Sequence, residues 1–231
     1  MTKKKIVTTE QDMNRFLKGY QKFRAHYFSK DRKSPLYKKL LREGQSPKIM
    51  VIACSDSRVD PSIILGALPG ELFVVRNVAN LVPPFDNNPK HHGTSAALEF
   101  AVQVLGVSHI IVLGHSHCGG IQALLKPLQD QQAPREHNFI TSWMNIASAA
   151  REKVSQCCQD QPPEVQAKLC EEESLLISLN NLRTFPWIDS RVQAGLLSLH
   201  AWHFDLRTGV IEQFNQAHQQ FEELCPLLLI G

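Results

Sequence analysis

An α/β fold, with a mostly parallel central sheet flanked by helices and an extended N-terminal helical arm, is predicted by three features of the chain. Short uncharged runs rich in β-branched residues recur at 49–53, 72–76 and 109–113 and suit strands buried on both faces. Between them lie stretches with apolar residues at helical spacing, as the crossovers of a parallel sheet require. Ahead of the first run, residues 9–30 carry Met13, Phe16, Leu17, Tyr20, Phe23 and Tyr27 along one helical stripe.

Each element has its own local reason. Pro35 fits the first turn of a second helix through Leu41, and Gly44 stops it. Pro61 opens a short helix with Ile63, Ile64 and Leu65, closed by Pro69-Gly70. Residues 81–92 form a polar, Pro-rich loop, and 94–105 have the spacing of a helix ending at Gly106. A helix at 119–128 carries glycines in its first turn, and 139–154 and 164–182 are amphipathic helices. Residues 196–206 alternate weakly as a last strand, and Thr208-Gly209 turns into 210–214. With no internal repeat and no long linker, 231 residues make one domain, divided into an arm at 1–44 and a core at 45–231.

Composition narrows the class. Hydrophobic content of 43%, charged content of 20% and a net charge of +3 are those of an ordinary globular protein. The lysines and arginines at 3–5 and 24–42 form no basic face interleaved with aromatics, so no nucleic-acid partner is expected. No apolar segment follows the N-terminal lysines and none is long enough to span a bilayer, so no membrane partner and a cytoplasmic location are expected. Thiols stay reduced there, and the 6 cysteines ask for another explanation, metal binding first. Cys157, Cys158, Cys170 and Cys225 lie in helical or terminal surroundings and are expected to be structural.

The chemistry concentrates at two strand ends. The 49–53 run ends in Cys54-Ser55-Asp56-Ser57-Arg58, and the 109–113 run enters Gly114-His115-Ser116-His117-Cys118-Gly119-Gly120. Open α/β sheets place their sites at this edge. A cysteine at a strand end is by itself a small buried hydrophobe, and His-x-x-Cys alone is a weak motif. Together the two turns offer Cys54, His115 and Cys118 to one point, a soft donor set that suits zinc with one position open.

These blocks, Ala53 to Val59, Gly70 to Asn80 and Gly114 to Gly120, resemble the signature blocks of the β-class carbonic anhydrases, and the similarity runs in order from about Gln45 to the 199–205 segment. The resemblance implies one zinc per subunit, held by Cys54, His115 and Cys118, with water or Asp56 as fourth ligand. It implies reversible hydration of carbon dioxide to bicarbonate and a proton, by zinc-bound hydroxide. Asp56 and Arg58 are implied as the catalytic pair, the arginine holding the aspartate off the metal while the aspartate orients the hydroxide. Gln45 matches an amide that hydrogen-bonds bicarbonate, and Phe73 and Val78 match the apolar substrate lining. Phe100 stands where the family often has Tyr, which removes a hydroxyl. Gly119 offers a backbone N–H near the metal, and Gly120 allows close approach of the helix. His117, His91 and His92 are the proton-shuttle candidates, while His109, His200, His203 and His218 are expected to be structural.

Some members carry a second, inhibitory bicarbonate pocket of Trp, Arg and Tyr. Here those positions hold Val51, Arg76 and Phe204, which points to the open-site, plant-like subgroup. The resemblance also implies a homodimer or dimer-based higher oligomer, the N-terminal helix lying across its neighbour. Two rivals remain: hydrolysis of carbonyl sulfide or carbon disulfide on the same site, and a non-catalytic zinc-stabilised regulatory protein. The apolar walls with Gln45 favour carbon dioxide over the first. The Asp56–Arg58 pair, which a closed structural site does not need, counts against the second.

Overall fold

A computed structural model describes residues 9–28, 36–88, 92–125 and 139–224, with side chains of the first helix from Met13 onward. Pro35, His91, Cys225 and the end of the helix expected at 119–128 lie outside the described residues. The chain divides into two compact units, Met1–Gln45 and Ser46–Gly231.

In the first unit, α1 (Thr9–Phe28) and α2 (Leu36–Glu43) meet through aromatic rings. Tyr37 lies 5.8, 5.2 and 4.8 Å, centroid to centroid, from Phe23, Tyr27 and Phe28. Edge-on and tilted contacts of this kind add to the apolar burial of the rings. Met13, Phe16, Leu17 and Tyr20 on the same helix are exposed.

The second unit runs β1 (Ile49–Cys54), α3 (Pro61–Ile64), β2 (Leu72–Asn77), α4 (Gly93–Glu99), β3 (His109–His115), α5 (Gly119–Leu125), α6 (Phe139–Met144), α7 (Ser148–Cys157), α8 (Pro163–Arg183), α9 (Pro186–Gln193), β4 (Ser198–Phe204), β5 (Ile211–Asn215) and β6 (Gln220–Glu223). Its strands form one sheet in the order β2-β1-β3-β4-β5-β6. The first four are parallel, and β5 and β6 extend the sheet antiparallel. Burial explains why β1 and β3 are uninterrupted apolar runs. Met50, Ile52, Ile110 and Val112 point into a core shared with Leu98, Leu175, Leu182 and Ile188, while Val51, Ala53, Ile111 and Leu113 are buried on the opposite face. The expected mostly parallel sheet with flanking helices is the one observed.

Several elements differ from expectation. The helix predicted at 94–105 is α only to Glu99; Phe100–Val104 forms a π-turn, with Leu105 N–H reaching back to Phe100 O at 3.0 Å. One extra residue in a turn shifts the apolar stripe too little for spacing to register. The helix predicted at 139–154 is interrupted by a 3-10 turn at Asn145–Ala147. Neither α9 nor β6 was expected: α9 is short and opens on Pro186, a first-turn proline that was its one signal. Strand β6 is four residues long and rests on the pairing of Phe214 with Phe221, centroids 5.4 Å apart. No helix among the described residues is long and apolar enough to cross a membrane.

Candidate metal centre

Strands β1 and β3 are adjacent and parallel, with Ala53 opposite Leu113. Cys54 and His115 are their terminal residues, so one sheet edge carries both. The turn after β3 then brings in Cys118 ahead of α5. His117 makes that turn tight by taking a left-handed backbone, φ 58°, with its own side chain exposed. The donor atoms of Cys54, His115 and Cys118 all lie within 4.8 Å of one another, and all three residues are buried.

The donors are prepared for a cation. His115 Nδ1 lies 2.9 Å from Ser116 O; donating there leaves Nε2 with its lone pair free. Nε2 is buried and has no hydrogen-bond partner among the described residues, a costly condition that a metal ion would relieve. The Cys118 thiol beside Cys54 pulls the Cys54 thiol down to about 4, while Cys54 and burial hold Cys118 well above the ordinary thiol range. The backbone N–H of Asp56 also points at Cys54 Sγ, 3.4 Å away. Two sulfurs and one imidazole nitrogen, buried and converging, fit zinc.

Two arginines shape the rim. Arg58 grips Asp56 through both carboxylate oxygens, Nε to Oδ1 at 2.9 Å and Nη2 to Oδ2 at 2.7 Å, and its Nη2 also donates to His117 O at 3.1 Å. One guanidinium therefore joins the two ligand-bearing turns. It holds the Asp56 carboxyl well below the usual carboxylate range. Asp56 Oδ2 stands 4.0 Å from His115 Nε2. Arg76 is used differently: its guanidinium donates to the carbonyls of Cys54, Asp56 and Val59 at 2.9, 2.6 and 2.8 Å and reaches Asp60 Oδ2 at 3.3 Å. It rivets the turn that follows the first cysteine.

Behind the ligands lies a layer that the sequence analysis missed. Glu171 on α8 is 3% exposed; its Oε1 accepts the Cys118 backbone N–H at 3.1 Å and its Oε2 meets His203 Nε2 at 3.1 Å. The signal was there: helical spacing places position 171 on the buried stripe of Ser174, Leu175, Ser178 and Leu182. His203, expected to be structural, is fully buried and serves this carboxyl. After β2, Ala79 and Asn80 take consecutive left-handed conformations, φ 60° and 49°, a strain of roughly 1–3 kcal/mol at Ala79 and less at Asn80, whose side chain tolerates this region. They turn the chain beneath α5. A Cβ on Gly120 would meet Ala79 Cβ and Val78 Cγ1 at 3.1 Å, so a larger residue there would have to push these neighbours back by a few tenths of an ångström.

The remaining expected residues are placed as follows. Phe73 and Phe100 stack, centroids 5.9 Å apart, and Phe100 and Val78 are partly exposed. Val78 lines a mainly apolar cavity of ≈ 560 Å³ with His92, Thr94, Phe139 and Trp143; Trp143 Nε1 donates to Val78 O at 2.7 Å. Gly119 opens α5 and is exposed. Gln45 is exposed and belongs to the N-terminal unit.

Comparison with known proteins agrees with this geometry. The family model described as carbonic anhydrase matches residues 49–211, a span that contains all three metal donors. Beta carbonic anhydrase 3 of Arabidopsis thaliana is 39% identical over 200 residues, covering 87% of this chain and 76% of the relative. A carbonic anhydrase of Synechocystis is 37% identical over 211 residues, covering 90% and 73%. Among solved structures, the β-carbonic anhydrase CcaA superposes with a TM-score of 0.82 at 37% identity, covering 92% of this chain and 99% of that one. One of two tetrameric enzymes from Sordaria macrospora superposes at 0.72 and 28% identity, covering 90% and 97%. With the sheet, the Cys-His-Cys centre and these relatives in agreement, the chain belongs to the β-class carbonic anhydrases.

Proposed function

We propose that this enzyme interconverts carbon dioxide and bicarbonate in an open-site form, with Asp56 and Arg58 as its catalytic pair. The observation that carries the reading is the two-pronged hold of Arg58 on Asp56, reinforced by its bond to His117 O. A carboxylate so engaged is kept from becoming a fourth metal ligand. Cys54, His115 and Cys118 hold the zinc, which when bound supplies an acidified water and hence a hydroxide nucleophile near neutral pH. Asp56, ionised at any working pH, accepts a hydrogen bond from the attacking group and fixes its direction. Phe73, Val78 and Phe100 offer carbon dioxide an apolar wall that excludes competing water. Phe100 supplies no hydroxyl, so its part is apolar only. The Gly119 backbone N–H is assigned to an oxygen of bicarbonate, and Gln45 keeps the part that the resemblance implies for it. The proton leaves through exposed imidazoles, for which His117 and His92 are the candidates among the described residues.

The same reading includes a homodimer or dimer-based oligomer, supported by the exposed apolar residues of α1 and by the tetrameric relatives from Sordaria macrospora. The 1–231 chain acts as one domain with a helical arm. A cytoplasmic location belongs to the same reading.

Stopped-flow hydration of carbon dioxide, on protein of verified zinc content, tests the proposal. Fast turnover near pH 7.5, reduced in Asp56→Asn and abolished along with zinc in Cys118→Ser, is the expected result. Turnover that is slow at pH 7.5 and rises above about pH 8 would place Asp56 on the metal. Inactivity at every pH with zinc fully loaded would point to carbonyl sulfide, carbon disulfide or a regulatory role instead.

A further inference from the structure

Cys157 is the last residue of α7 and Cys158 is its cap. Consecutive side chains on a helix diverge by about 100° and do not meet. Here Cys158 leaves the helix with φ −137° and ψ 20°, and the change of direction brings the two Sγ atoms to 3.1 Å. Cys157 is exposed and Cys158 half-buried. Cys158 packs against the cluster that contains Val154 and Cys170, which fixes one side of the pair while the other faces solvent. Two sulfurs with a set spacing and open access make a chelating site. The zinc centre does not use them.

The spacing and surroundings select the ligand. Two bonds of about 2.3 Å place their sulfurs about 3.8 Å apart at a tetrahedral angle but about 3.2 Å apart at a right angle. The observed 3.1 Å is short for tetrahedral zinc and suits a pyramidal centre such as trivalent arsenic. A disulfide is the poorer outcome. Adjacent Cα atoms lie about 3.8 Å apart, below the span of about 4.4–6.8 Å that a relaxed disulfide needs. The negative end of α7 also disfavours a thiolate here, and the hydrogen bond that the Cys158 thiol donates to its neighbour raises Cys158 further. A neutral dithiol is the form that condenses with an arsenous acid.

We propose that Cys157 and Cys158 together form a binding site for trivalent arsenicals of the class R–As(OH)2. The two S–H groups condense with the two As–OH groups. Two As–S bonds form as two As–O bonds break, two waters leave, and arsenic stays trivalent throughout.

Phenylarsine oxide, added in equimolar amount to the zinc-loaded full chain in excess glutathione, tests the site. The expected product is one phenylarsenic group per chain by intact mass, mapped to the peptide holding positions 157 and 158 and released by 2,3-dimercaptopropanol. Cys157→Ser and Cys158→Ser should each lower the adduct retained against glutathione by about 100-fold or more, because one As–S bond loses the chelate advantage. Retention undiminished in the double variant Cys157→Ser/Cys158→Ser, mapping to Cys54 or Cys118, or no retained adduct on the wild type would each overturn the proposal.

Discussion

Glu171 Oε1 accepts the backbone N–H of Cys118 from 53 positions away in sequence, at 3.1 Å. It thereby pins a metal ligand to the long helix α8, and His203 holds its other oxygen. Partners that orient metal ligands typically contribute about 10–100-fold in metal affinity. Glu171→Ala is expected to lower zinc affinity by about that factor, whereas Glu171→Gln, which retains an acceptor oxygen, should lose much less. Competition with a chromophoric chelator measures both. Equal affinity in all three proteins would remove Glu171 from the centre.

Arg58 couples Asp56 to the His117 carbonyl, and Arg58→Ala should release both. Zinc content should stay near one per chain, since no donor atom is touched. Carbon dioxide hydration at pH 7.5 is expected to fall about 10–100-fold, the usual consequence of a misplaced catalytic group. Stopped-flow rates beside metal analysis separate this outcome from simple zinc loss.

Gly120→Ala puts a methyl group against Ala79, Val78 and Met144 Sδ, the last at 3.3 Å. Overpacking of this kind costs about 1–3 kcal/mol, and the better helix propensity of alanine returns up to about 1 kcal/mol. A net fall in thermal midpoint of about 2–6 °C is expected for a chain of this size. An unchanged midpoint would mean that the left-handed turn at Ala79 yields freely.

Glu222 on β6 is held down to about 2 by hydrogen bonds from Gln220, Asn215 and His218. A carboxylate depressed below its unfolded value near about 4.3 stabilises the fold above that value, and the contribution disappears as pH falls toward 2. Urea unfolding of the metal-free protein should therefore show wild type more stable than Glu222→Gln from pH 7 to about 5. The gap should close progressively below about pH 4.5. A gap independent of pH down to 3 would contradict the assignment.

The parts of this molecule that were legible in sequence are those in which one residue type answers one physical demand. Strands buried on both faces must be apolar throughout, so β1 and β3 stand out at 49 and 109; β2 at 72 carries a similar apolar run although it lies half-exposed at the sheet edge. A thiol or an imidazole alone has commoner uses, but two ligand-rich turns at parallel strand ends converge on one use, so Cys54, His115 and Cys118 were legible together. Relationships carried by the backbone or by distant pairs were not. The π-turn at Phe100–Val104 leaves the apolar stripe almost unchanged. The left-handed turn at Ala79 and Asn80 uses residues with no turn signature as a pair. Glu171 was hidden in an acidic run, Glu171-Glu172-Glu173, where only its helical spacing to Ser174, Leu175 and Ser178 sets the buried member apart. Cys157 and Cys158 read as ordinary helical cysteines in sequence, because nothing there shows that the chain leaves the helix at Cys158.

The pairing of β1 with β3, Ala53 opposite Leu113, has a consequence for how a correctly folded chain is recognised. Sliding β3 by one residue would turn every side chain to the opposite face. Sliding it by two would restore the faces but carry His115 about 7 Å along the strand, beyond the 4.8 Å within which the donors now lie. Neither misaligned sheet can assemble the three donors, although the second keeps its apolar alternation intact. Metal capture thus acts as a checkpoint on strand alignment: the chain that retains zinc is the chain whose two central strands have found their proper partners.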